Sequence, residues 1–468
     1  MTKIKFGTDG WRAIIAKEFT VDNVARVTEA TAKWLKQNYE KPSVVVGHDC
    51  RFAGELFADT VAKVLLSQGV KVYLSQGFVS TPMVSLGALN YKSSLGIIIT
   101  ASHNPPEYNG YKLKGSYGGP LLPDKIEEIE AIIPDKADSS YNQVNLSVAE
   151  SEGKLQYVNL EDDYCRKVEE SFDLDAIRNS ELEFAYDAMF GAGQNVIRRL
   201  LPETTMLHCE HNPSFEGQAP EPIAKNLVEF SEMINLAGNI DCGLATDGDA
   251  DRIGLFDAEG KFVDSHHIIL LLIHYLVKYK GMNGKVCTAF SSSVKVKAIC
   301  EAYGLPLDVV KIGFKYIAGI MISEDVLLGG EESGGIAIKG HIPERDGIWM
   351  GLVIWEFMAK SGKTLQELID EVYEVVGAFS VDRNDLHLPD SEKQRVINLC
   401  KEGKVDKIGN RPVIRVEDMD GFKFFLTENE WLMVRPSGTE PLLRVYAEAA
   451  DHNGVLKLIA DARAQFGI

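Results

Sequence analysis

The stretch ITASHNPPEYNGYK, residues 99–112, leaves a strand through a serine and a histidine and is then stiffened by two prolines. It continues the apolar run Leu95–Ile99, whose composition predicts a buried strand. An ordinary turn requires neither the serine nor the histidine. The pattern therefore indicates a catalytic loop at the end of a buried strand, with Ser102 as the candidate nucleophile.

The segments around this loop alternate between short apolar runs and longer helical patterns. Strands are predicted at Val44–Gly47, Val70–Leu74 and Leu95–Thr100, and helices at Asp22–Gln37 and Gly54–Ser67. Strands that alternate with helices in this way are typical of a mainly parallel or mixed sheet. We therefore expect the first part of the chain to form an α/β domain.

The same alternation returns further along the chain. Strands are predicted at Leu182–Tyr186, Cys242–Thr246, Lys285–Ala289 and Val326–Leu328, and each leads into a polar loop. We interpret this pattern as three topologically related α/β domains, although the repeat is weak in sequence.

The region beyond Gly377 has a different pattern. Strand-like runs come close together before a final helix, at Val413–Val416, Lys423–Leu426, Trp431–Val434 and Leu443–Ala447. This favours a smaller C-terminal α+β domain with an antiparallel sheet. With the polar segment Pro134–Gly153 as the first linker, the predicted domains are 1–142, 155–257, 258–376 and 377–468.

Composition excludes several classes of partner. The chain has 468 residues, with 49 Lys and Arg against 68 Asp and Glu, which gives a net charge of −19. This charge argues against binding to nucleic acid or to an anionic membrane. The seven cysteines form no C-x-x-C pair, and the start, MTKIKFGTDGWR, lacks the apolar core of a signal peptide. We therefore expect a cytoplasmic protein.

The sequence Asp247-Gly-Asp-Ala-Asp-Arg252 follows a predicted buried strand. Its carboxylates, Asp247, Asp249 and Asp251, alternate along the backbone and so project to one side of an extended loop. Oxygen ligands in this number suit Mg²⁺ or Ca²⁺. Open α/β sheets also bind ligands at this end of their strands. We predict a metal site with Arg252 beside it on a phosphoryl oxygen; a solvated acidic turn is the other interpretation.

A Ser-His-Asp hydrolase does not explain the first loop well. The G-x-S-x-G turn that usually carries such a serine is absent, and His103 directly follows Ser102, so we do not expect it to act as an in-line base. A serine that carries a phosphoryl group near a metal explains the residues better. Lys112 could then supply or accept a proton.

Two further loops have compositions that suit a sugar phosphate. The segment Arg435-Pro-Ser-Gly-Thr-Glu-Pro441 combines a guanidinium, two hydroxyls and a glycine, a set that can cradle a phosphate. In Glu331-Glu-Ser-Gly-Gly335, residues 331 and 333 would face the same way and suit neighbouring sugar hydroxyls. Ordinary turns are the alternative interpretation of both segments.

These loops, in this order, resemble the α-D-phosphohexomutase superfamily, and within it the phosphoglucomutase/phosphomannomutase branch. The resemblance spans nearly the whole chain and rests on five motifs: Gly7-Thr-Asp-Gly-Trp-Arg12, Thr100-Ala-Ser-His-Asn-Pro-Pro106, Asp247-Gly-Asp-Ala-Asp-Arg252, Gly330-Glu-Glu-Ser-Gly334 and Arg435-Pro-Ser-Gly-Thr-Glu-Pro441. It implies a heart-shaped molecule in which each of four domains contributes one loop to a central cleft.

The resemblance also implies a role for each candidate residue. Ser102 would be the phosphoserine, and Mg²⁺ would bind Asp247, Asp249, Asp251 and a phosphoryl oxygen on Ser102. The remaining catalytic residues, for proton transfer and charge balance, would be Lys112, His103, Arg12 and Arg252. The substrate-binding residues would be Glu331, Ser333, Arg345, Arg435, Ser437, Gly438 and Thr439, with the last four on the phosphate that is not transferred.

The implied reaction interconverts hexose 1-phosphate and hexose 6-phosphate through a hexose 1,6-bisphosphate that turns over in the cleft, with glucose 1,6-bisphosphate as activator and intermediate. Glu331 and Ser333 would bind the hydroxyls at C3 and C4, which glucose and mannose share. Glucosamine mutases usually carry Gln and His around this serine, where Glu332 and Gly335 stand here, so the resemblance favours glucose and mannose. We expect small hexose phosphates as partners and a monomer or homodimer.

Other functions remain open from the sequence. A phosphoglucosamine or phosphopentose mutase would use the same loops. A phosphatase could use Asp247 and Asp249 as a D-x-D pair, but Ser102 would then have no role. A sugar-phosphate-binding protein without turnover is the non-enzymatic alternative.

Overall fold

The computed structural model describes residues 3–436 and 442–468. Its first sheet and associated helices are, in chain order, β1 Trp11–Ile14, α1 Val21–Asn38, β2 Ser43–His48, α2 Gly54–Ser67, β3 Lys71–Ser75, α3 Thr81–Asn90, β4 Leu95–Ile99, β5 Tyr108–Gly115, α4 Pro123–Glu130, α5 Leu146–Ser151 and β6 Leu155–Val158. The strand order is β1-β5-β4-β2-β3-β6. Strands β4, β2, β3 and β6 are parallel, whereas β5 runs antiparallel to β4 and β1.

The second sheet has fewer strands than the first. Like the first, it contains a strand that runs antiparallel beside a parallel one. Its elements are α6 Leu160–Ser171, α7 Leu174–Arg178, β7 Phe184–Asp187, α8 Gln194–Leu200, β8 Thr205–Leu207, α9 Val228–Ala237, β9 Cys242–Thr246, β10 Ile253–Phe256 and β11 Phe262–Val263. The order is β11-β10-β9-β7-β8. Strands β9, β7 and β8 are parallel, and β10 is antiparallel to β9.

The third sheet follows the same plan. Its elements are α10 Ser265–His274, β12 Lys285–Ala289, α11 Lys295–Tyr303, β13 Leu307–Val310, α12 Phe314–Ser323, β14 Val326–Gly330, β15 Ile336–Ile338, α13 Gly347–Ser361 and α14 Leu365–Val376. The order is β13-β12-β14-β15, with β15 antiparallel to β14. The apolar run Ile268–Val277 is helical: it forms most of α10 and part of the helical turn that follows it. In the described part of the chain, no helix is both long and apolar enough to cross a membrane.

The last part of the chain is an antiparallel sheet with helices on one face. Its elements are β16 Ser380–His387, α15 Asp390–Lys401, β17 Lys407–Ile408, β18 Arg411–Pro412, β19 Arg415–Glu417, β20 Phe422–Phe425, β21 Trp431–Pro436, β22 Leu442–Ala449 and α16 His452–Phe466. The order is β16-β22-β21-β20-β19, beside the small ribbon β17-β18. Three α/β units and a smaller α+β unit therefore confirm the predicted fold class.

The repeat places three candidate functional loops at equivalent positions. In each of the first three sheets, a buried parallel strand is followed by a strand that turns back antiparallel beside it: β4 and β5, β9 and β10, β14 and β15. The connections between them are residues 100–107, 247–252 and 331–335. The serine, acidic and Glu-Glu-Ser loops are therefore the same loop of three related units.

Two strands extend these sheets beyond the boundaries that the sequence suggested. Strand β6 pairs with β3 of the first sheet, although we placed residue 155 in the second domain. Strand β11 pairs with β10, so the second sheet reaches Val263. The segment Pro134–Gly153, interpreted as a linker, contains α5 and the buried residues Tyr141 and Ala149. The boundaries between the four domains stay predictions.

Helix α13 ties the third unit to the second. Its sequence is apolar on nearly every side, and it packs on β9 and β10 of the second sheet. A helix that is apolar all round is expected to be buried all round. Asp346 caps its first turn by accepting from the backbone N–H of Trp349 at 3.0 Å. Because Gly347 donates to the carbonyl of Ala250 at 2.9 Å, the start of this helix touches the acidic loop.

We predict opposite effects for alanine at two helical glycines. A Cβ at Gly351 in α13 would lie 2.3 Å from Cδ2 of the fully buried Leu244. Overpacking of about 1–3 kcal/mol should exceed the helix gain of about 1 kcal/mol, so G351A should lower the thermal midpoint. At Gly319 in α12, the nearest atom would be Leu122 Cδ2 at 3.7 Å, so G319A should leave the midpoint unchanged or raise it. A G351A midpoint at or above the wild-type value would contradict this packing.

Candidate active site

The serine loop is held in a strained, buried conformation. Ser102 is fully buried and has a positive φ of 53°, which costs free energy for a residue with a side chain. Its N–H donates to Thr100 Oγ1 at 2.9 Å, and its Oγ donates to Asp247 Oδ2 at 2.7 Å. A Cβ at Gly248 would lie 2.6 Å from the Ser102 carbonyl oxygen, so glycine permits this approach of the two loops. The sequence-predicted nucleophile and the acidic loop are in direct contact.

Arg51 binds the backbone of the serine loop. The sequence analysis did not identify this residue as part of the site. Its guanidinium is buried and donates to the backbone carbonyls of residues 102, 104, 105 and 108 at 2.5–3.0 Å. Its Nε lies 3.5 Å from Asp49, which accepts from Thr100 Oγ1. Phe215 of the second unit packs over the guanidinium at 5.0 Å. Arg51 therefore determines the path of the backbone that carries Ser102.

A signal for Arg51 was present in the sequence. The predicted strand Val44–Gly47 ends in His48-Asp-Cys-Arg51, which is a polar loop at the end of a buried parallel strand. Open α/β sheets place their ligand-binding residues in such loops. Only the fold shows that this arginine binds carbonyls of the neighbouring serine loop.

His103 lies closer to the serine than its place in the sequence suggested. Its Nδ1 is 3.2 Å from Ser102 Oγ, because the left-handed backbone at Ser102 turns the two side chains together. Burial, and then the charges of Arg252 and Arg12, hold the pKa of His103 well below its usual range. The imidazole is therefore neutral, and its part in proton transfer stays a prediction.

The acidic loop fits a divalent cation. Asp247, Asp249 and Asp251 are fully buried, and one carboxylate oxygen from each lies within 4.8 Å of the others. Burial, and then the charges of the other two carboxylates, raise the pKa of Asp247 well above its usual range. Oδ1 of Asp249 and Oδ1 of Asp251 are buried and have no hydrogen-bond partner in the described part of the chain. Orphaned carboxylate oxygens that converge in this way are what a hard cation such as Mg²⁺ requires.

Cations from the other units approach the outer oxygens of the same carboxylates. Lys112 Nζ lies 2.7 Å from Asp249, 3.1 Å from Asp251 and 2.8 Å from Asp9. Arg345 Nη2 lies 2.7 Å from Asp251 and 2.5 Å from Asp9. Burial of Lys112 works against its charge, but the three carboxylates outweigh burial and raise its pKa. Lys112 is therefore a charged ammonium here, and Arg345 contacts the acidic loop.

Two arginines that the sequence analysis predicted as site residues, Arg12 and Arg252, flank this cluster. Arg12 donates to the side chain of Asn104, in the serine loop, at 2.7 Å. The backbone N–H of Arg252 donates to Asp247 Oδ1 at 3.1 Å, and its guanidinium reaches Glu221 at 3.4 Å. The Nε atom of Arg252 is buried and has no hydrogen-bond partner within residues 3–436 and 442–468. Both guanidinium groups lie beside the serine loop or the acidic loop, where an anion would be attracted.

The Glu-Glu-Ser loop has its side chains turned in two directions, contrary to the prediction that residues 331 and 333 face the same way. Glu331 Oε1 accepts from the N–H of Gly313 at 2.8 Å, whereas Ser333 faces an open cavity. A Cβ at Gly335 would lie 2.4 Å from the side chain of Arg345, so this glycine makes room for the arginine. Burial, only partly offset by Arg345, raises the pKa of Glu331 to about 7.

Of the four residues predicted to bind the phosphate in the fourth unit, the structure describes one, Arg435. Arg435 forms a two-pronged ion pair with Asp420, at 3.1 and 3.3 Å. Asp420 also accepts from the N–H of Ile312 in the third unit at 2.9 Å. The other predicted residues of this loop, Ser437, Gly438 and Thr439, lie outside the described residues.

A cavity of about 1040 Å³ opens between the second, third and fourth units. Glu221, the partner of Arg252, lies on its wall, as do Glu332, Ser333 and Tyr446. A space of this size accommodates a small sugar phosphate.

Comparison with known proteins identifies the family. Four models described as phosphoglucomutase/phosphomannomutase match the chain: alpha/beta/alpha domain I at residues 3–140, domain II at 162–260, domain III at 264–376 and the C-terminal domain at 396–465. The chain belongs to the phosphoglucomutase/phosphomannomutase family, within the α-D-phosphohexomutase superfamily. It is therefore an enzyme, an intramolecular phosphotransferase of the isomerase class.

Individual relatives differ in the sugar that their names give. A phosphoglucomutase/phosphomannomutase of Thermococcus kodakarensis is 30% identical over 95% of this chain and 94% of its own length. A phosphoglucosamine mutase of Methanococcus vannielii is 31% identical over 91% of this chain and 92% of its own. A crystal structure from Thermus thermophilus, provisionally named a phosphomannomutase, is 31% identical, covers 100% of both chains and has a TM-score of 0.87.

We predict that Arg51→Lys lowers the kcat of this phosphohexomutase about 100-fold while changing KM by less than about threefold. A lysine ammonium lacks the planar fork that serves several carbonyls at once, and displacement of a catalytic group by about 1 Å can cost this much. Steady-state mutase kinetics would test it. Arg166→Lys, at an exposed arginine that pairs with Asp163, is the matched control. Wild-type kcat in the Arg51 variant would contradict the positioning role.

Proposed function

We propose that this enzyme interconverts hexose 1-phosphates and hexose 6-phosphates through a phosphoserine at Ser102 and a hexose 1,6-bisphosphate intermediate. The observation that supports it most is the 2.7 Å contact between Ser102 Oγ and Asp247, beside two orphaned carboxylate oxygens. A phosphoryl group on Ser102 would lie next to any cation held by the acidic loop. Neither a phosphatase nor a plain binding protein needs this serine there.

We assign the metal site to Asp247, Asp249 and Asp251, together with a phosphoryl oxygen on Ser102. Bound Mg²⁺ would neutralise charge on the phosphoryl group that is transferred. Arg252, with a buried and unpartnered Nε, is placed to contact the same phosphoryl group. Lys112 and Arg12 would balance charge around it.

Transfer breaks the bond between phosphorus and Ser102 Oγ and forms one to a sugar hydroxyl. The hydroxyl loses a proton and Ser102 Oγ gains one. His103 Nδ1, 3.2 Å from Oγ, is placed to pass the proton that the sugar hydroxyl loses to Oγ, so that the proton lost at one oxygen is the proton gained at the other. Despite burial, the three carboxylates raise the pKa of Lys112, so it would stay charged and balance the negative charge of the transferred phosphoryl group. The buried site would protect the phosphoserine from water.

For the sugar, we assign the C3 and C4 hydroxyls to Glu331 and Ser333. We assign the phosphate that is not transferred to Arg435, Ser437, Gly438 and Thr439. We also assign Arg345 to substrate binding. Its ion pairs with Asp9 and Asp251 hold its guanidinium beside the acidic loop. Release of Arg435 from Asp420 when a phosphate binds would let the fourth unit close over the ligand.

We propose glucose and mannose phosphates as the substrates, with glucose 1,6-bisphosphate as activator, in a cytoplasmic monomer or homodimer. Glucose and mannose share the C3 and C4 hydroxyls that this loop would bind. Glucosamine phosphate is the second candidate, because relatives of about the same identity carry that name.

The first experiment is a coupled assay for glucose 6-phosphate formed from glucose 1-phosphate, with Mg²⁺ and a trace of glucose 1,6-bisphosphate. Mannose 1-phosphate and glucosamine 1-phosphate are run beside it. Ser102→Ala should lose at least about 10³-fold in kcat, because the covalent intermediate cannot form. Ser323→Ala, at an exposed serine, should keep full activity.

Two results would overturn the proposal. One is mutase activity in the Ser102 variant. The other is mass spectrometry in which glucose 1,6-bisphosphate phosphorylates the wild type and S102A equally.

We predict that the KM for the hexose phosphate rises as the pH falls from about 8 to about 6. Glu331, with a pKa of about 7, must be ionised to accept hydrogen bonds from sugar hydroxyls, and its ionised fraction falls about tenfold over this range. In Glu331→Gln this contribution should vanish, leaving only the titration of the substrate phosphate, which both enzymes share. Equal pH profiles of KM in the two enzymes would contradict the assignment.

A further inference from the structure

Three polar atoms on the wall of the 1040 Å³ cavity have no hydrogen-bond partner among the described residues. Asp385 Oδ1 lies 3.1 Å from Nε of Arg383 in an ion pair, which leaves two groups. One is Oε2 of Glu332, on the Glu-Glu-Ser loop, and the other is the hydroxyl of Tyr446, on β22. Both atoms are buried, and the tyrosine is only 1% exposed. A buried polar atom without a partner costs about 1–3 kcal/mol, so such atoms point to a bound group that satisfies them.

The backbone determines the direction in which each group points. Glu331 turns toward the N–H of Gly313, whereas Glu332 and Ser333 both line the cavity. On the sheet of the fourth unit, the neighbours of Tyr446 in β22 pack against α16, and Tyr446 lies on the opposite face. The third and fourth units thus each present one polar group to the same space.

The two groups complement each other as hydrogen-bonding partners. A carboxylate can only accept, so Glu332 requires a donor. Burial, and then the charge of Glu332, raise the pKa of Tyr446, so its phenol remains protonated and can donate. A sugar hydroxyl, which donates one hydrogen bond and accepts another, satisfies both groups at once.

The proposed substrate has one ring hydroxyl to which the proposed function assigns no protein partner. In a hexose 1,6-bisphosphate, C1 and C6 carry phosphates, and the free ring hydroxyls are those at C2, C3 and C4. Glu331 and Ser333 account for C3 and C4 in the proposed function, on which this inference rests. We propose that Glu332 and Tyr446 bind the C2 hydroxyl and so form the pair of residues that determines which hexose the enzyme accepts.

Nearby charges favour a hydroxyl over an ammonium group at this position. Lys423 and Arg383 lie close enough for their charges to interact with Glu332. Lys423 is buried against Trp431 and donates to the carbonyls of residues 290 and 292. The charge of Glu332 is therefore partly balanced already, and a protonated amine would also face two cations. The site should select a neutral sugar over glucosamine.

The test compares substrates with and without the C2 hydroxyl. We expect wild-type kcat/KM to be at least about 10-fold lower for 2-deoxyglucose 1-phosphate than for glucose 1-phosphate, the range expected for a hydrogen bond to a charged group. In Glu332→Ala and in Tyr446→Phe, this ratio should shrink to less than about threefold. Glu374→Ala removes an exposed glutamate of α14 and should keep the wild-type ratio.

The ratio separates recognition from damage to the fold. A variant that only distorts the site would lose activity equally on both sugars, and an unchanged ratio in E332A and Y446F would overturn the proposal. Wild-type preference for glucosamine 1-phosphate over glucose 1-phosphate would overturn it as well. Failure of the wild type to convert any hexose 1-phosphate is a different result, because it removes the proposed function itself and this inference with it.

Discussion

The buried charge of the acidic loop is the constraint on which the rest of this structure depends. Asp247, Asp249 and Asp251 are all fully buried. Three carboxylates at this spacing cannot all stay ionised in a protein interior unless cations compensate them. Two cations come from other units: Lys112 from the first and Arg345 from the third. The acidic loop is therefore stable in this form only where three units meet.

Packing of the three α/β units against one another keeps the compensating cations beside the acidic loop. One apolar core runs through all of them, from Val45 and Ile98 in the first to Leu244 in the second and Ile354 in the third. Helix α13 joins this core while its first residue donates to the acidic loop. Since Arg345 lies just before the helix, the burial of α13 also places the guanidinium beside Asp251. Close packing thus holds the cations near the carboxylates of the acidic loop. The antiparallel fourth unit has a separate core.

Much of the fold was predictable because it depends on local pattern. Apolar runs such as Val44–Gly47 and Cys242–Thr246 are strands in the structure, and the change to an antiparallel sheet after Gly377 is confirmed. The edges of sheets were less predictable. Strand β6 has two exposed residues at its centre and joins the first sheet through pairing with β3, which no local signal in its own sequence indicates.

The sequence by itself determined which loops are candidates for the chemistry, because Ser102, the three aspartates and the Glu-Glu-Ser group stand at the ends of buried strands in residue types that a turn does not need. Only the tertiary structure decided how those residues act together. Arg51 binds carbonyls of a loop about 50 residues away, and the pairing of Lys112 with Asp249 spans 137 residues. The neutral state of His103 likewise follows from burial and from arginines of other segments. Local sequence sets backbone conformation and chemical type, whereas charge state and distance depend on neighbours that only the folded chain brings together.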